Sequence, residues 1–105
     1  MAENKRAGHL PHGRGLLKSV LLAKVTPGSP GYGKVQGAAV LSVEPDSAAA
    51  SSGLVEGDVI VTIDRKPIGS PEQAVRIAAD HADLLLLGIY RDDQVHFVVV
   101  RRGNS

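Results

Sequence analysis

The chain has 105 residues, room for one domain, and its hydrophobic share of 43% sits beside only 3% aromatics, so any core is built from Val, Leu, Ile and Ala. A net charge of +1 gives no broad positive field of the kind nucleic-acid binding rests on. Cysteine is absent, which removes disulfides, thiol catalysis and cysteine-based zinc sites.

Residues 1–13 are polar and carry Gly8, Pro11 and Gly13, the composition of a flexible linker or arm. Lys5, Arg6, Arg14 and Lys18 crowd this end, and Arg101 and Arg102 the other; they read as solvated termini. His9 and His12 lie three apart, but Pro11 between them and the lack of a third ligand argue against a metal site. Two basic residues near the start are followed by no apolar signal core, so no export signal is expected here. The longest apolar stretch, residues 84–90, falls far short of the ~20 residues of a membrane span.

Residues 16–25 form the first ordered segment, a strand because residues 26–33 break regular structure directly behind it with three glycines and two prolines. No Lys-Thr and no helix start follow that glycine-rich break, so it is a surface loop rather than a phosphate cradle. Residues 37–43 read as the second strand. A short helix of small residues follows over 48–52, with Asp46 or Ser47 as its N-cap and Gly53 closing it in the left-handed conformation that costs glycine nothing. The β-branched run from Val59 to Ile63 is the third strand, framed by Asp58 and Asp64. By simple alternation Ile60 and Ile63 lie on opposite faces. Arg65 and Lys66 turn the chain into a short edge piece at Pro67 and Ile68.

Ser70, Pro71 and Gln73 mark a helix start: an N-cap, a proline at the first helical position and the third member of a capping box. The helix runs to about Asp80 or His81, with Ala74, Ile77, Ala78 and His81 on one face and Val75 and Ala79 on an adjacent strip. Residues 84–90 and 95–101 are the last two strands, joined by a hairpin turn at residues 91–94. Both are apolar on both faces, as a small closed barrel or sandwich requires.

Catalytic constellations are missing. No serine sits in a Gly-x-Ser-x-Gly elbow, and Ser47, Ser51 and Ser52 are accounted for by capping and a small-residue helix surface. Asp92 and Asp93 suit a turn, Asp80 and Asp83 follow a helix end, His81 complements the helix dipole, and His96 sits half-exposed in a strand. These are structural roles, and the chain is expected to hydrolyse nothing and to need no cofactor and no metal.

Val43-Glu44-Pro45-Asp46-Ser47-Ala48-Ala49-Ala50 and the run from Gly53 through Gly57-Asp58-Val59-Ile60 combine into V-E-P-x-S-x-A-A-x-x-G-L-x-x-G-D-V-I. This pattern closely resembles the centre of bacterial PDZ domains, those appended to HtrA/DegP-type serine proteases. The resemblance covers residues 14–102, leaving 103–105 as a tail, and is strongest to the C-terminal, second PDZ domain of that family. It implies an α+β fold: a small five- to six-stranded antiparallel β-barrel or sandwich with two helices, in the permuted strand order of bacterial members. It also implies a non-catalytic module of a periplasmic quality-control protease, with no membrane span.

In the family a peptide adds as a strand between the first strand and the second helix, and a tight loop captures its terminal carboxylate. Carried onto this sequence, the groove comprises Leu17, Lys18, Ser19, Val20, Leu21 and Leu22 with Val75, Ala78 and Ala79. The family loop has the form apolar–x–Gly–apolar, and Leu17-Lys18-Ser19-Val20 departs from it with serine at the glycine position. Gly15 is a second candidate anchor, and serine in the loop points to weak carboxylate capture. Two functions are open: recognition of C-terminal or unfolded apolar segments, or docking onto a sister PDZ domain with Leu17, Val20 and Leu22 as ordinary core residues.

Overall fold

The computed structural model describes residues 15–80 and 83–102. The expected arm at 1–13, with His9 and His12, therefore lies outside the described residues, as do His81 and the tail at 103–105. A single 3-10 turn, Gly15–Leu17, leads into β1 (Val20–Lys24) and β2 (Ala38–Val43). Helix α1 (Ala48–Ser51), β3 (Val59–Ile63), the short β4 (Lys66–Pro67) and helix α2 (Pro71–Ala79) follow, then β5 (Leu84–Arg91) and β6 (Gln94–Arg101).

All pairings are antiparallel, and the sheet runs β1-β2-β3-β5-β6 with β4 attached to β3 beside that path. This is the expected α+β architecture with two helices, but the sheet stays open. β1 and β6 are its two edges. Expected closure fails at β6, whose outward Val95, Phe97 and Val99 remain 51%, 64% and 41% exposed. Helix α1 does touch β6, and α2 packs across the 3-10 turn, β1, β2 and β3. Neither covers that outward row.

The core is aliphatic, as the composition requires. Leu17, Leu22, Leu54, Ile60, Ile63, Leu85, Leu87 and Ile89 are its largest fully buried side chains. Ile60 and Ile63 both belong to this one cluster, which corrects the expectation of opposite faces. The cause is a β-bulge: β3 pairs Ile60 with Ile89 but Thr62 with Gly88, so the register shifts around Val61. One extra residue resets the alternation and returns Ile63 to the core side.

Caps form where the sequence places them. Ser47 is the N-cap of α1: its Oγ accepts from the Ala50 N–H at 3.1 Å and donates to the Glu44 carbonyl at 2.7 Å. Gly53 follows with φ +101. Ser70 caps α2 by accepting from the Gln73 N–H at 3.2 Å, but the capping box is displaced: Gln73 Oε1 accepts from the Gly69 N–H at 2.8 Å, one residue before the cap. Two strand connections turn through non-glycine residues at positive φ. Asp64 (52°) and Arg65 (71°) join β3 to β4, one residue earlier than expected, and Asp92 (54°) and Asp93 (64°) join β5 to β6. Paired positive φ values are what a two-residue hairpin of right-twisted strands requires.

Candidate functional site

The expected groove residues fall on three connected pieces: the turn before β1, β1 itself and α2. Leu17 ends the 3-10 turn, Lys18 and Ser19 form the tight connection, and Val20 opens β1. Ser19 ties this connection to the sheet, its carbonyl accepting from the Glu44 N–H at 3.0 Å. Ser19 is not among the residues with positive φ, so its backbone there does not demand glycine. Gly15, the other candidate anchor, lies inside the 3-10 turn rather than beside the strand.

The nine residues divide by burial. Leu17, Val20, Leu22 and Ala78 are fully buried members of the core cluster. Val75 is half-buried and packs against that cluster. Ser19 and Leu21 are half-buried, and Lys18 and Ala79 are exposed. Thus β1 alternates, sending Val20 and Leu22 inward and Leu21 to the other face. β1 pairs only with β2 among the described strands, and its other side carries the unpaired backbone groups of an edge. At the far end of β1 a cleft of about 550 Å³ opens between Lys24 and Val25, the segment from Tyr32 to Gly37, and Gly69 and Ser70 at the start of α2.

Sequence reading missed two polar clusters. Asp58 is only 1% exposed, and Arg91 grips it with two bonds, Nε to Oδ1 and Nη2 to Oδ2, each 2.7 Å. The same Nη2 donates to the Gly53 carbonyl at 2.9 Å, and Asp58 Oδ2 also accepts from the Val55 N–H at 3.0 Å. The hydrogen bonds to Asp58 raise the Arg91 pKa further above its ordinary value. This pair joins the α1–β3 turn to the end of β5. The second cluster is on the surface: Asp93 Oδ1 accepts from Lys34 Nζ at 2.8 Å and from the Tyr90 hydroxyl at 2.6 Å. Asp93 therefore bonds side chains, not the backbone groups expected of a turn aspartate. Lys34 holds the Asp93 carboxyl below its usual range, while Asp93 raises the pKa of both Lys34 and Tyr90. Neither cluster pairs a nucleophile with a base. Among the described residues no group of three His, Asp or Glu is placed to hold a metal.

The family model for PDZ domains matches residues 40–91, which run from β2 through the Asp58 turn and α2 to the end of β5. The chain belongs to the PDZ domain family. PDZ domains are binding modules, not catalysts. A probable periplasmic DegP-like serine endoprotease of Chlamydia pneumoniae is 32% identical over 69 residues, which are 65% of this chain and 14% of that protein. The chain thus corresponds to a small part of its curated relative. The PDZ domain of HtrA3, solved with the phage-derived ligand FGRWV, superposes with a TM-score of 0.67 at 23% identity, covering 79% of this chain and 80% of that one. The HtrA-type protease AlgW, solved with a decapeptide, gives 0.68 at 24%, covering 79% of this chain and 27% of that one. At such identities these two likenesses speak for the fold. No helix among the described residues is long and apolar enough to cross a membrane.

Proposed function

We propose that this PDZ domain binds C-terminal or unfolded apolar peptide segments by strand addition along β1, within a DegP/HtrA-like periplasmic serine protease whose catalysis resides elsewhere. One observation carries the reading: β1 is an edge strand that starts from a tight turn and lies against α2. An incoming strand satisfies the outward backbone groups of β1, and α2 supplies the apolar wall. The connection at Lys18, Ser19 and Val20 takes the carboxylate through N–H groups, in bonds stronger than neutral ones. Small, exposed Ala79 beside half-buried Val75 favours a bulky apolar terminal residue, and the terminal valine of the ligand solved with the HtrA3 domain has that character. The periplasmic setting and the protease parent rest on the relative in Chlamydia pneumoniae.

A chemical-shift titration with C-terminal peptides ending in Val, Leu or Phe tests the reading. Shifts are expected at residues 18–24 and along α2, with Kd on the order of 10 μM to 1 mM. Amidating the peptide terminus weakens binding, and Val75→Glu abolishes it. If amidation changes nothing, terminal recognition is wrong. If Val75→Glu leaves binding intact, the groove lies elsewhere.

A second reading, docking onto a sister PDZ domain, draws on the exposed row Val95, Phe97 and Val99 on the other edge strand. Large apolar side chains gathered on an open edge mark interaction surfaces. Self-association that is lost in Phe97→Lys, with no peptide-induced shifts at β1, would favour it.

A further inference from the structure

The groove does not end with β1. The cleft of about 550 Å³ lies between the same two elements, at the end away from the carboxylate loop: Lys24 ends β1 and Val25 follows it, and Gly69 and Ser70 lead into α2. Its third wall is the turn-rich segment containing Tyr32 and Gln36. We propose that this cleft is an upstream subsite that selects peptides carrying an acidic side chain four or five residues before the C-terminus. The proposal rests on strand addition along β1.

Register places the subsite. An antiparallel ligand with its last residue beside Val20 advances one residue for each step along β1. The fourth residue before its end then lies beside Lys24, and the fifth beside Val25. At about 3.4 Å per residue, this is roughly 14 Å from the carboxylate, beyond the reach of a four-residue ligand.

The chemistry follows from what lines the cleft. Lys24 is its single charged side chain, and no carboxylate faces it there. Lys24 is exposed and has no ion-pair partner among the described residues. Lys34, on the same loop, has its charge engaged by Asp93, so Lys24 is the cation left to meet a ligand. Tyr32, 55% exposed, offers a ring face for the aliphatic part of an incoming glutamate. A solvent-open pair of this kind gives modest selectivity, about two- to fivefold, and it fades with salt.

Three peptides with the same last four residues decide the matter, titrated by chemical shift at low and high salt. One stops at four residues; two run to eight, with either Glu or Lys at the fourth and fifth positions before the terminus. The Glu peptide is expected to bind about two- to fivefold more tightly than the Lys peptide at low salt, with shifts at Lys24, Tyr32 and Gln36. Lys24→Glu inverts that order. Equal affinities of the Glu and Lys peptides overturn the subsite, while binding of the four-residue peptide leaves strand addition standing. If none of the three binds, strand addition fails and the subsite fails with it.

Discussion

Removing the Arg91 guanidinium is the sharpest test of how this fold is held together. Asp58 is 1% exposed and receives two bonds of 2.7 Å from Arg91, so Arg91→Met leaves a desolvated carboxylate with the 3.0 Å bond from Val55 N–H. Breaking a buried pair on one side costs about 3–5 kcal/mol. Arg91 itself is 34% exposed, so water reaches the vacated side and the low end applies, about 3 kcal/mol. The Gly53 carbonyl loses its donor as well, which loosens the turn ahead of β3. For a domain of this size that loss lowers Tm by roughly 15 °C. Urea unfolding measures it, and Asp58→Asn with Arg91→Met completes a double-mutant cycle. The double variant should be less destabilised than the sum of the singles, because the uncompensated charge is gone. A loss under about 1 kcal/mol in Arg91→Met, or strict additivity, refutes the reasoning.

Ile60→Ala and Ile63→Ala should each cost about 2–5 kcal/mol, since the bulge turns both into the core, and Val61→Ala about 1 kcal/mol or less; urea unfolding checks all three. A small loss at Ile63 would mean that the alternation is not reset. The surface cluster sets limits in pH. The depressed Asp93 pKa contributes stability above the unfolded carboxylate pKa and loses it as pH falls through the folded value. The raised Lys34 and Tyr90 pKa values contribute below their unfolded values and lose it as pH rises through the folded ones. The contribution of this cluster should therefore be flat near neutrality and decline at both ends. In Lys34→Met the Asp93 carboxyl should titrate at higher pH by carbon-detected NMR, and an unmoved titration would show the contact to be idle. Two-thirds of the outward β6 row can be probed through Val95→Thr and Phe97→Lys, both expected within about 0.5 kcal/mol of wild type in urea because neither side chain is buried.

Local rules carried most of the fold. Capping chemistry at Ser47 and Ser70, the left-handed glycine at Gly53 and the β-branched run in β3 are decided by neighbours in sequence, and each forms where it was expected. What escaped depends on partners distant in sequence. The bulge at Val61 exists only in the pairing of β3 with β5, some of whose residues lie more than twenty positions away. Asp58 reads as a turn aspartate until Arg91, 33 residues on, arrives beside it. Closure of the sheet failed for a similar reason. Residues apolar on both faces announce burial on both faces only if some element is left to cover them, and here α2 packs across β1, β2 and β3 while α1, though it touches β6, leaves the outward row of that strand exposed.

The same division runs through the site. β1 and β6 are both edge strands rich in apolar residues, so composition alone does not say which of them receives a ligand. What separates them is α2, which lies across β1 and the turn before it and makes no comparable contact with β6. The start of α2 follows from its cap at Ser70 and Pro71, a purely local signal, whereas the groove residues came from the resemblance to PDZ domains and not from any local rule. The cleft beside Lys24 was legible from neither. Its outer wall is the segment from Tyr32 to Gln36, whose course depends on positive φ at Gly31 and Gly33 and on the Lys34–Asp93 bond, which spans 59 residues. Turns within this glycine-rich stretch are closed locally, the Lys34 and Val35 N–H groups both donating to the Gly31 carbonyl, but the distant contact ties the stretch to the β5–β6 turn, and selectivity at Lys24 depends on it. Asp93→Ala should therefore change the preference between Glu and Lys peptides without touching any residue of the groove. Because that bond no longer holds the wall beside Lys24, the preference for Glu should shrink. A preference unchanged in Asp93→Ala would show that the loop holds its shape, and Lys24 its isolation, without that bond.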